Sequence, residues 1–542
     1  MKMENLSDDN ETWWKQGVIY HICPLSFNDS DGDGYGDLQG IIQKLDYLSL
    51  LGIDAIWLSP VYQSPMVDFG YDISDHTMID PRLGTLEDFR CLLSEAHSRG
   101  IRVVMDLVMN HTSDKHEWFL ESSSSIDNSK RDWYIWHDGR NGKKPNNWRS
   151  AAGGSAWQYD KITGQYFYHS FFKNQPDLNW RSKEMQKAFF EQVRFWLNMG
   201  VDGFRLDVIN MVVKDKKFRN SPLLSNLPFR HKKVYTRNRP KSYKIVRKLR
   251  KLVNEYDNRL LVGEIYSLPP GDPELSASYL GTENNLLHLA FDFSIMFRRW
   301  SAVSYFRSIS AWYWQISADG WPCNVLSNHD LNRYINRYHF SFHKERKARL
   351  LAVLLLTIKG TPFIYYGDEI GMQNALIPRN RLVDPLGQKY WPFYKGRDRS
   401  RTPMQWDTSE QAGFTISRPW LPVNQDYRNR NVKKQMNDPD SLLNQYIELI
   451  RLRKQYNELQ SGEWMSVIPG TRGVLAYLRF KMDKRLLIIL NFKKIKNKVH
   501  LAEIVNLKVI YSTHRNPDAV FLSNDLSLNP FEASIFQVGA NL

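Results

Sequence analysis

The chain has 542 residues, 42% of them hydrophobic and 24% charged, which exceeds a single hydrophobic core and fits a soluble globular protein of two or three domains. Three cysteines, Cys23, Cys91 and Cys323, match no metal spacing, exclude a disulfide scaffold, and read as buried thiols in a reducing compartment. The net charge of +15 is concentrated in residues 214–251, where fifteen Lys/Arg face one acid, Asp215; a solvated loop and helix face accounts for it, and without a recognition motif it excludes nucleic-acid binding.

In chain order, residues 17–27 read as a strand, followed by an acidic, Gly-rich loop, 29–37. Residues 38–51 carry Leu38, Ile41, Ile42, Leu45 and Leu48 at helical spacing. Residues 55–60 form a second strand, and Thr85 caps a helix that runs to Arg99 and stops at Gly100. Residues 102–110 form a third strand, an almost unbroken apolar run of the kind buried on both faces. Residues 111–180 are polar and lack a helical period, so an inserted small domain is expected there. Further strands are expected at 203–208, 260–265, 288–293, 325–327 and 362–366, alternating with helices. Eight strand–helix units over more than about 250 residues fit a (β/α)8 barrel, with α/β class. After 457 the pattern changes to short strands at 473–480, 485–491, 499–501, 508–511 and 534–538, which reads as a C-terminal β-sandwich. The expected division is a barrel of 1–110 and 181–457, an inserted domain of 111–180 and a sandwich of 458–542. The longest apolar run, 350–358, is too short to span a bilayer, and 1–11 has no apolar region of a secretory signal. A cytoplasmic monomer or weak homo-oligomer without a membrane partner is expected.

Function in such a barrel sits where the strands end at the C-terminal face. The third strand ends Asp106…Asn110-His111, the fourth Arg205-Leu206-Asp207, the fifth Gly263-Glu264, and the seventh Ser327-Asn328-His329-Asp330. Arg205 and Asp207, two apart on a strand, share one face; alone they are equally an internal ion pair or part of a site. Asp207, Glu264 and Asp330 place three carboxyls in one cleft. Mutual repulsion pushes their pKa values apart, which gives one ionised nucleophile and one protonated acid, the division of labour for cleaving a glycosidic bond. Arg205 would keep Asp207 ionised, and His111 and His329 are suitable donors to sugar hydroxyls.

These four segments, in this order, resemble the α-amylase superfamily of retaining α-glucoside-cleaving barrels. Residues 175–179 (QPDLN) are similar to the segment closing that family's inserted domain. Within the family the chain resembles the oligo-1,6-glucosidase and α-glucosidase group, through 68–72 (DFGYD), 360–369 (GTPFIYYGDE) and 401–406 (RTPMQW). The resemblance implies Asp207 as nucleophile, Glu264 as acid/base and Asp330 as a third carboxylate gripping sugar hydroxyls. It also implies a pocket for a terminal glucose lined by Asp68, Tyr71, His111, Arg205, His329 and Arg401. Val208, directly after the nucleophile, goes in similar glucosidases with α-1,6 rather than α-1,4 cleavage. The implied activity is exo-acting release of glucose from a short oligosaccharide or sucrose, with glucosyl transfer as a further outcome. A sucrose isomerase or other transferase is the alternative within the family. A non-catalytic transporter-subunit relative is disfavoured by the complete carboxylate set.

The loop with Asp29, Asp31, Asp33 and Asp37 alternates hard oxygen ligands along a Gly-rich turn, which suits structural Ca²⁺ or Mg²⁺. In similar glucosidases the carbonyl of Tyr35 is a further ligand. No organic cofactor is expected. Residues 384–396 extend the region before Arg397 relative to the shortest oligo-1,6-glucosidases and are expected to shape the outer subsites. The start of the basic run lies near the expected active-site mouth, where binding of a phosphorylated sugar is the alternative to a solvated face.

Overall fold

The computed structural model describes residues 12–222, 234–267, 270–282, 285–317, 320–337, 342–501 and 506–539. Arg230, Lys232 and Lys233 of the basic run, and the stretch 1–11, lie outside the described residues.

Eight parallel strands close into a barrel: β1 (Ile19–Ile22), β2 (Ala55–Leu58), β3 (Arg102–Leu107), β4 (Gly203–Leu206), β5 (Leu260–Gly263), β6 (Leu289–Asp292), β7 (Cys323–Val325) and β8 (Thr361–Tyr365). Each strand pairs with its sequence neighbours, and β1 closes the ring by pairing Ile19 with both Ala55 and Phe363. The two-residue alternation of a strand sorts the side chains. Ile19, Trp57, Val104, Val262, Phe291, Cys323 and Phe363 form the packed interior. Tyr20, Ile56, Val103, Met105, Phe204, Leu261 and Ile364 face the surrounding helices. Continuing the inward row toward the strand ends brings in His21, Asp106 and Arg205, all buried. The barrel floor is thus apolar and its mouth is charged.

All eight expected strands are present, each shorter than expected at its C-terminal end. The chain there leaves strand geometry to form the mouth: Pro24–Ser26 is a 3-10 turn, and Val208 has φ 36°. The helix expected over 38–51 is two, Leu38–Gln43 and Leu45–Leu51, separated by Lys44 at φ −107° and ψ 6°. The Thr85 cap is present as a capping box with Asp88. Gly203 is required by close approach, since a Cβ there would lie 2.3 Å from the Leu260 carbonyl oxygen on β5.

The insert after β3 contains a helix the sequence reading missed, Glu117–Ser124, and a three-stranded sheet of Trp136–His137, Tyr166–Tyr168 and Trp157–Tyr159. The helix buries only Phe119 and Ser122, too little for a visible period. Ser122 accepts from the Trp136 indole at 3.0 Å. After the barrel comes a six-stranded antiparallel sheet covered by a two-stranded one. The five expected strands are joined by Glu463–Pro469, Val520–Phe521 and Asp525–Leu528. Arg479, fully buried, ties this unit to the barrel by donating to the Thr357 carbonyl at 2.6 Å.

The basic helix Pro240–Val253 is amphipathic: Ile245, Val246, Leu249 and Leu252 are buried while Lys241, Lys244, Arg247, Lys248 and Lys251 are exposed. Lys214 departs from the solvated reading. It is buried, forms an ion pair with Asp177 of the insert, and donates to Asn110 at 2.7 Å. Cys91 is exposed, unlike the other two cysteines, because Phe89, Leu92, Leu93 and Ala96 take the buried face of its helix. Among the described residues no helix is long and apolar enough to cross a membrane.

Candidate active site

One guanidinium organises the mouth of the barrel. Arg205 on β4 lies directly opposite Asp106 on β3 in the strand register. Its Nη1 donates to Asp106 at 2.8 and 3.0 Å and to Asp207 Oδ1 at 2.9 Å. Its Nη2 binds Glu264, which follows β5. Arg205 is 2% exposed, and the Trp57 ring lies 5.0 Å from it. Three buried carboxyls thus surround one cation. At an effective dielectric of about 20, two unit charges about 4 Å apart interact by roughly 4 kcal/mol, so full ionisation of all three is strongly disfavoured. Burial lifts Asp106 to about 6 against the pull of Arg205. Burial also pushes the Asp207 carboxyl well up, with Arg205 opposing and Glu264, Asp106 and Asp330 adding to the rise. Arg205 is therefore shared, not the private counter-ion of Asp207 that the sequence suggested. Asp106 and Asp207 therefore lose their protons at higher pH than they would in a single salt bridge.

The pocket above this cluster is lined by Asp68, Tyr71, His111, Asp207, Val208, Glu264, His329 and Asp330, all expected from sequence, together with Phe171, Tyr266 and Arg397. Arg205 and Arg401 stand behind the lining. Tyr71 donates to Asp106 at 2.9 Å and lies 2.8 Å from His329 Nε2, its ring stacked on the imidazole. Burial pulls His329 down to about 3, and His111 is lowered by the same cause, so both rings are neutral hydrogen-bonding groups at ordinary pH. His111 Nε2 sits 3.1 Å from the Tyr71 carbonyl and 3.1 Å from the Gln175 amide nitrogen. Val208 adopts left-handed backbone geometry, φ 36° and ψ 44°, which is strained for a β-branched residue and marks the turn directly after Asp207.

Asp330 is the most open carboxylate, its side chain 37% exposed. Burial raises it, but His329, Arg397, Arg401 and Arg205 outweigh that and hold it below the usual carboxylate range. Arg401 donates to Asp330 at 2.9 Å and to the His329 carbonyl at 2.6 Å. Arg397 donates to Asp68 at 2.7 Å and to Asp384 at 2.9 Å, closing one side of the pocket. The site therefore holds two electrostatic regimes. Asp330 stays ionised under its arginines, while Asp106 and Asp207 at the base share one arginine and hold their protons to higher pH than an ordinary aspartate.

Arg397 and Asp106 carry no role in the sequence reading. Asp106 was legible as an inward polar residue on an apolar strand. Arg397 had no local signal, since Asp68 lies 329 residues away in the chain. None of the described residues of 214–251 lines this pocket, so the basic run supplies no phosphate-binding group there.

In the acidic loop, carboxylate oxygens of Asp29, Asp31 and Asp37 lie within 4.8 Å of one another. Asp33 is not part of this group: its carboxylate caps the Tyr35 amide at 2.7 Å. Asp29 also accepts from the amides of Gly32 and Gly34, which holds the loop in a tight turn around the cluster.

The family profile described as alpha amylase, catalytic domain, matches residues 21–462. The chain belongs to the α-amylase family. It is 39% identical to an oligo-1,6-glucosidase of Parageobacillus thermoglucosidasius, over 97% of this chain and 99% of that one. Among solved structures it is similar to an isomaltulose synthase from Erwinia rhapontici NX5 in complex with sucrose (TM-score 0.91, 35% identity, 98% and 100% coverage). It is also similar to the alpha-glucosyl transfer enzyme XgtA (TM-score 0.90, 35% identity, 98% and 100% coverage). The α-amylase resemblance read from the four strand-end segments, and the (β/α)8 barrel with its C-terminal β domain, are thereby established.

The shared guanidinium makes a pH prediction. Turnover that requires ionised Asp207 is lost as pH falls through its pKa, and a raised pKa moves that acidic limb upward from the ordinary aspartate range. Asp106→Asn removes one of the negative charges that raise it, so the acidic limb of kcat/KM against pH should shift downward. An unmoved or upward-shifted limb contradicts the coupling.

Proposed function

We propose that the chain is a retaining, exo-acting α-glucosidase that releases the terminal non-reducing glucose from short oligosaccharides, α-1,6 links favoured over α-1,4. The observation that carries this is the joining of Asp207 and Glu264 through adjacent nitrogens of Arg205 at the base of one pocket. Two carboxyls that close suit double displacement, for which a separation of about 5–5.5 Å is usual. Glucose enters with its ring over Asp207. Asp330, Asp68, His111 and His329 take its hydroxyls, and the Arg397–Asp68 pair leaves no room for a further sugar on that side. The Asp207 carboxylate attacks the anomeric carbon while Glu264 gives its proton to the leaving oxygen. The glycosidic bond breaks as the glucosyl ester forms. Glu264, now a carboxylate, takes a proton from water, whose oxygen displaces Asp207. Two inversions restore the α configuration.

Val208 supports the linkage preference as a branched wall beside Asp207, and the oligo-1,6-glucosidase relative agrees with it. One methyl group shifts selectivity by only about 1–3 kcal/mol, so isomaltose should exceed maltose in kcat/KM by tens-fold rather than thousands-fold. A second reading, sucrose isomerisation, is favoured by the likeness to the isomaltulose synthase. It uses the same glucosyl ester, with released fructose as the acceptor in place of water.

The loop residues Asp29, Asp31 and Asp37 fit a hard divalent cation, since three carboxylates converge on one point. A bound Ca²⁺ or Mg²⁺ there would neutralise their repulsion and brace the segment after β1. It takes no part in the chemistry.

Asp207→Asn and Glu264→Gln should each reduce kcat on isomaltose by at least about a thousandfold with unchanged circular dichroism. The product glucose of the native protein, followed by NMR in the first minutes, should be the α anomer. Appearance of β-glucose, or near-native turnover by either variant, removes the assignment. Saturating Ca²⁺ or Mg²⁺ should raise Tm by several degrees, and Asp31→Asn should abolish that rise. An equal rise in the variant places the effect elsewhere.

A further inference from the structure

A cavity of about 530 Å³ opens where the C-terminal β unit meets the barrel, and it shares no lining residue with the pocket above Arg205. The barrel side supplies Trp300, the start of the helix Ala302–Gln315, and Lys347 of the helix Lys344–Thr357. The C-terminal unit supplies the turns 470–473 and 492–494 together with Phe531. Gly470 lets the two sides touch: its φ is 87°, and a Cβ there would lie 2.3 Å from the Val303 amide nitrogen.

The floor of this cavity is aromatic. Trp300 Nε1 donates to the Phe492 carbonyl at 2.9 Å, and the Trp300 ring lies 4.8 Å from that of Phe492 and 6.2 Å from that of Phe531. The indole is thus fixed in place while remaining only half-buried. The walls are cationic. Lys347, Arg472, Lys493 and Lys494 reach the cavity from three separate elements, and Asp and Glu are absent from its described lining. Glu532, next in the chain to Phe531, is buried and taken up by Arg515 at 2.5 Å and the Ser534 hydroxyl at 2.9 Å. Solvation accounts for the exposed Lys493 and Lys494. It does not account for Lys347, which is 9% exposed and holds its ammonium 5.0 Å from the Trp300 ring and 6.0 Å from the Phe531 ring. Nor does it account for a helix start that lines the same cavity with no acid in its first turn and no side-chain cap. Like charges gathered from three elements around one aromatic floor repel one another unless an anion joins them.

We propose that this cavity is a second, non-catalytic binding site for an organic phosphate with a flat face. The phosphoryl oxygens take charge-assisted hydrogen bonds from Lys347, Arg472, Lys493 and Lys494. The flat face, a nucleobase or a sugar ring, stacks on Trp300. The volume falls in the range of about 300–1,000 Å³ usual for small-molecule sites. Neither half of the site is complete alone, because the barrel brings the indole and Lys347 while the C-terminal unit brings the other three cations. A bound ligand therefore bridges the two units and stabilises their junction.

The test is isothermal titration of the full chain at about 0.15 M salt with ATP, glucose 6-phosphate, adenosine and inorganic phosphate. ATP or glucose 6-phosphate should bind at one site per chain, and whichever binds tighter names the flat face as nucleobase or sugar. Adenosine and inorganic phosphate should each bind at least about tenfold more weakly than that ligand, since each lacks half of the recognition. The Lys493→Ala/Lys494→Ala double variant, altered only at exposed positions, should weaken the binding at least about tenfold and leave kcat on isomaltose unchanged. Lys241→Ala/Lys244→Ala, on the basic helix, should leave the binding as it is. Binding undiminished in the first variant overturns the site. So does an equal loss in both variants, which marks diffuse charge, and so does adenosine binding as tightly as ATP. Absence of binding by both organic phosphates at millimolar concentration overturns it as well.

Discussion

The site depends on an imbalance of charge around Arg205. A buried guanidinium cannot deprotonate, so it is a fixed positive charge. Asp106, Asp207 and Glu264 all reach it, from three consecutive strands. One cation offsets one carboxylate well and three poorly. The excess negative charge, in a site nearly closed to water, raises the pKa of both Asp106 and Asp207. Asp106, lying opposite Arg205 in the sheet register and held by Tyr71 and Trp57, shares the Arg205 Nη1 with Asp207 and leaves Nη2 to Glu264.

The barrel makes this arrangement by alternation alone. Residues that point inward at the N-terminal ends of the strands are apolar and pack, and the same rows become His21, Asp106 and Arg205 at the C-terminal ends. The polar layer is therefore continuous with the core and rests on it. The pocket wall is assembled differently. Arg397 crosses from the last barrel loop to Asp68, and the buried Lys214–Asp177 pair fastens the insert to the segment after β4. Loops build the pocket wall on a scaffold that supplies the clustered carboxyls.

Much of this was legible in the chain. The barrel strands are short apolar runs between turn signals, and a charged pair two apart on such a run announces an inward polar face. The carboxylates at the strand ends followed from that. Residues acting across long separations were not legible: Arg397 has no local pattern, because its meaning lies in partners from the far end of the barrel. Lys214 was hidden by its neighbours, since a basic run is read as one solvated face and a single buried member is averaged away. The exposed Cys91 shows the reverse error. Composition suggested burial, although the helical spacing of Phe89, Leu92 and Leu93 already placed it outside. The strand ends ran long because Val208 and its counterparts are apolar, and apolarity does not reveal a turn into left-handed geometry.

The central claim is that the carboxyl beside Arg205 on β4 becomes covalently linked to the sugar while Glu264 handles the proton. Its most direct test is mass spectrometry of peptides from protein stopped during turnover of a slow, fluorinated α-glucosyl fluoride. The account predicts a single glucosyl-type adduct on Asp207. An adduct on Glu264 or Asp330, or none under conditions where fluoride is released in a stoichiometric burst, would contradict it.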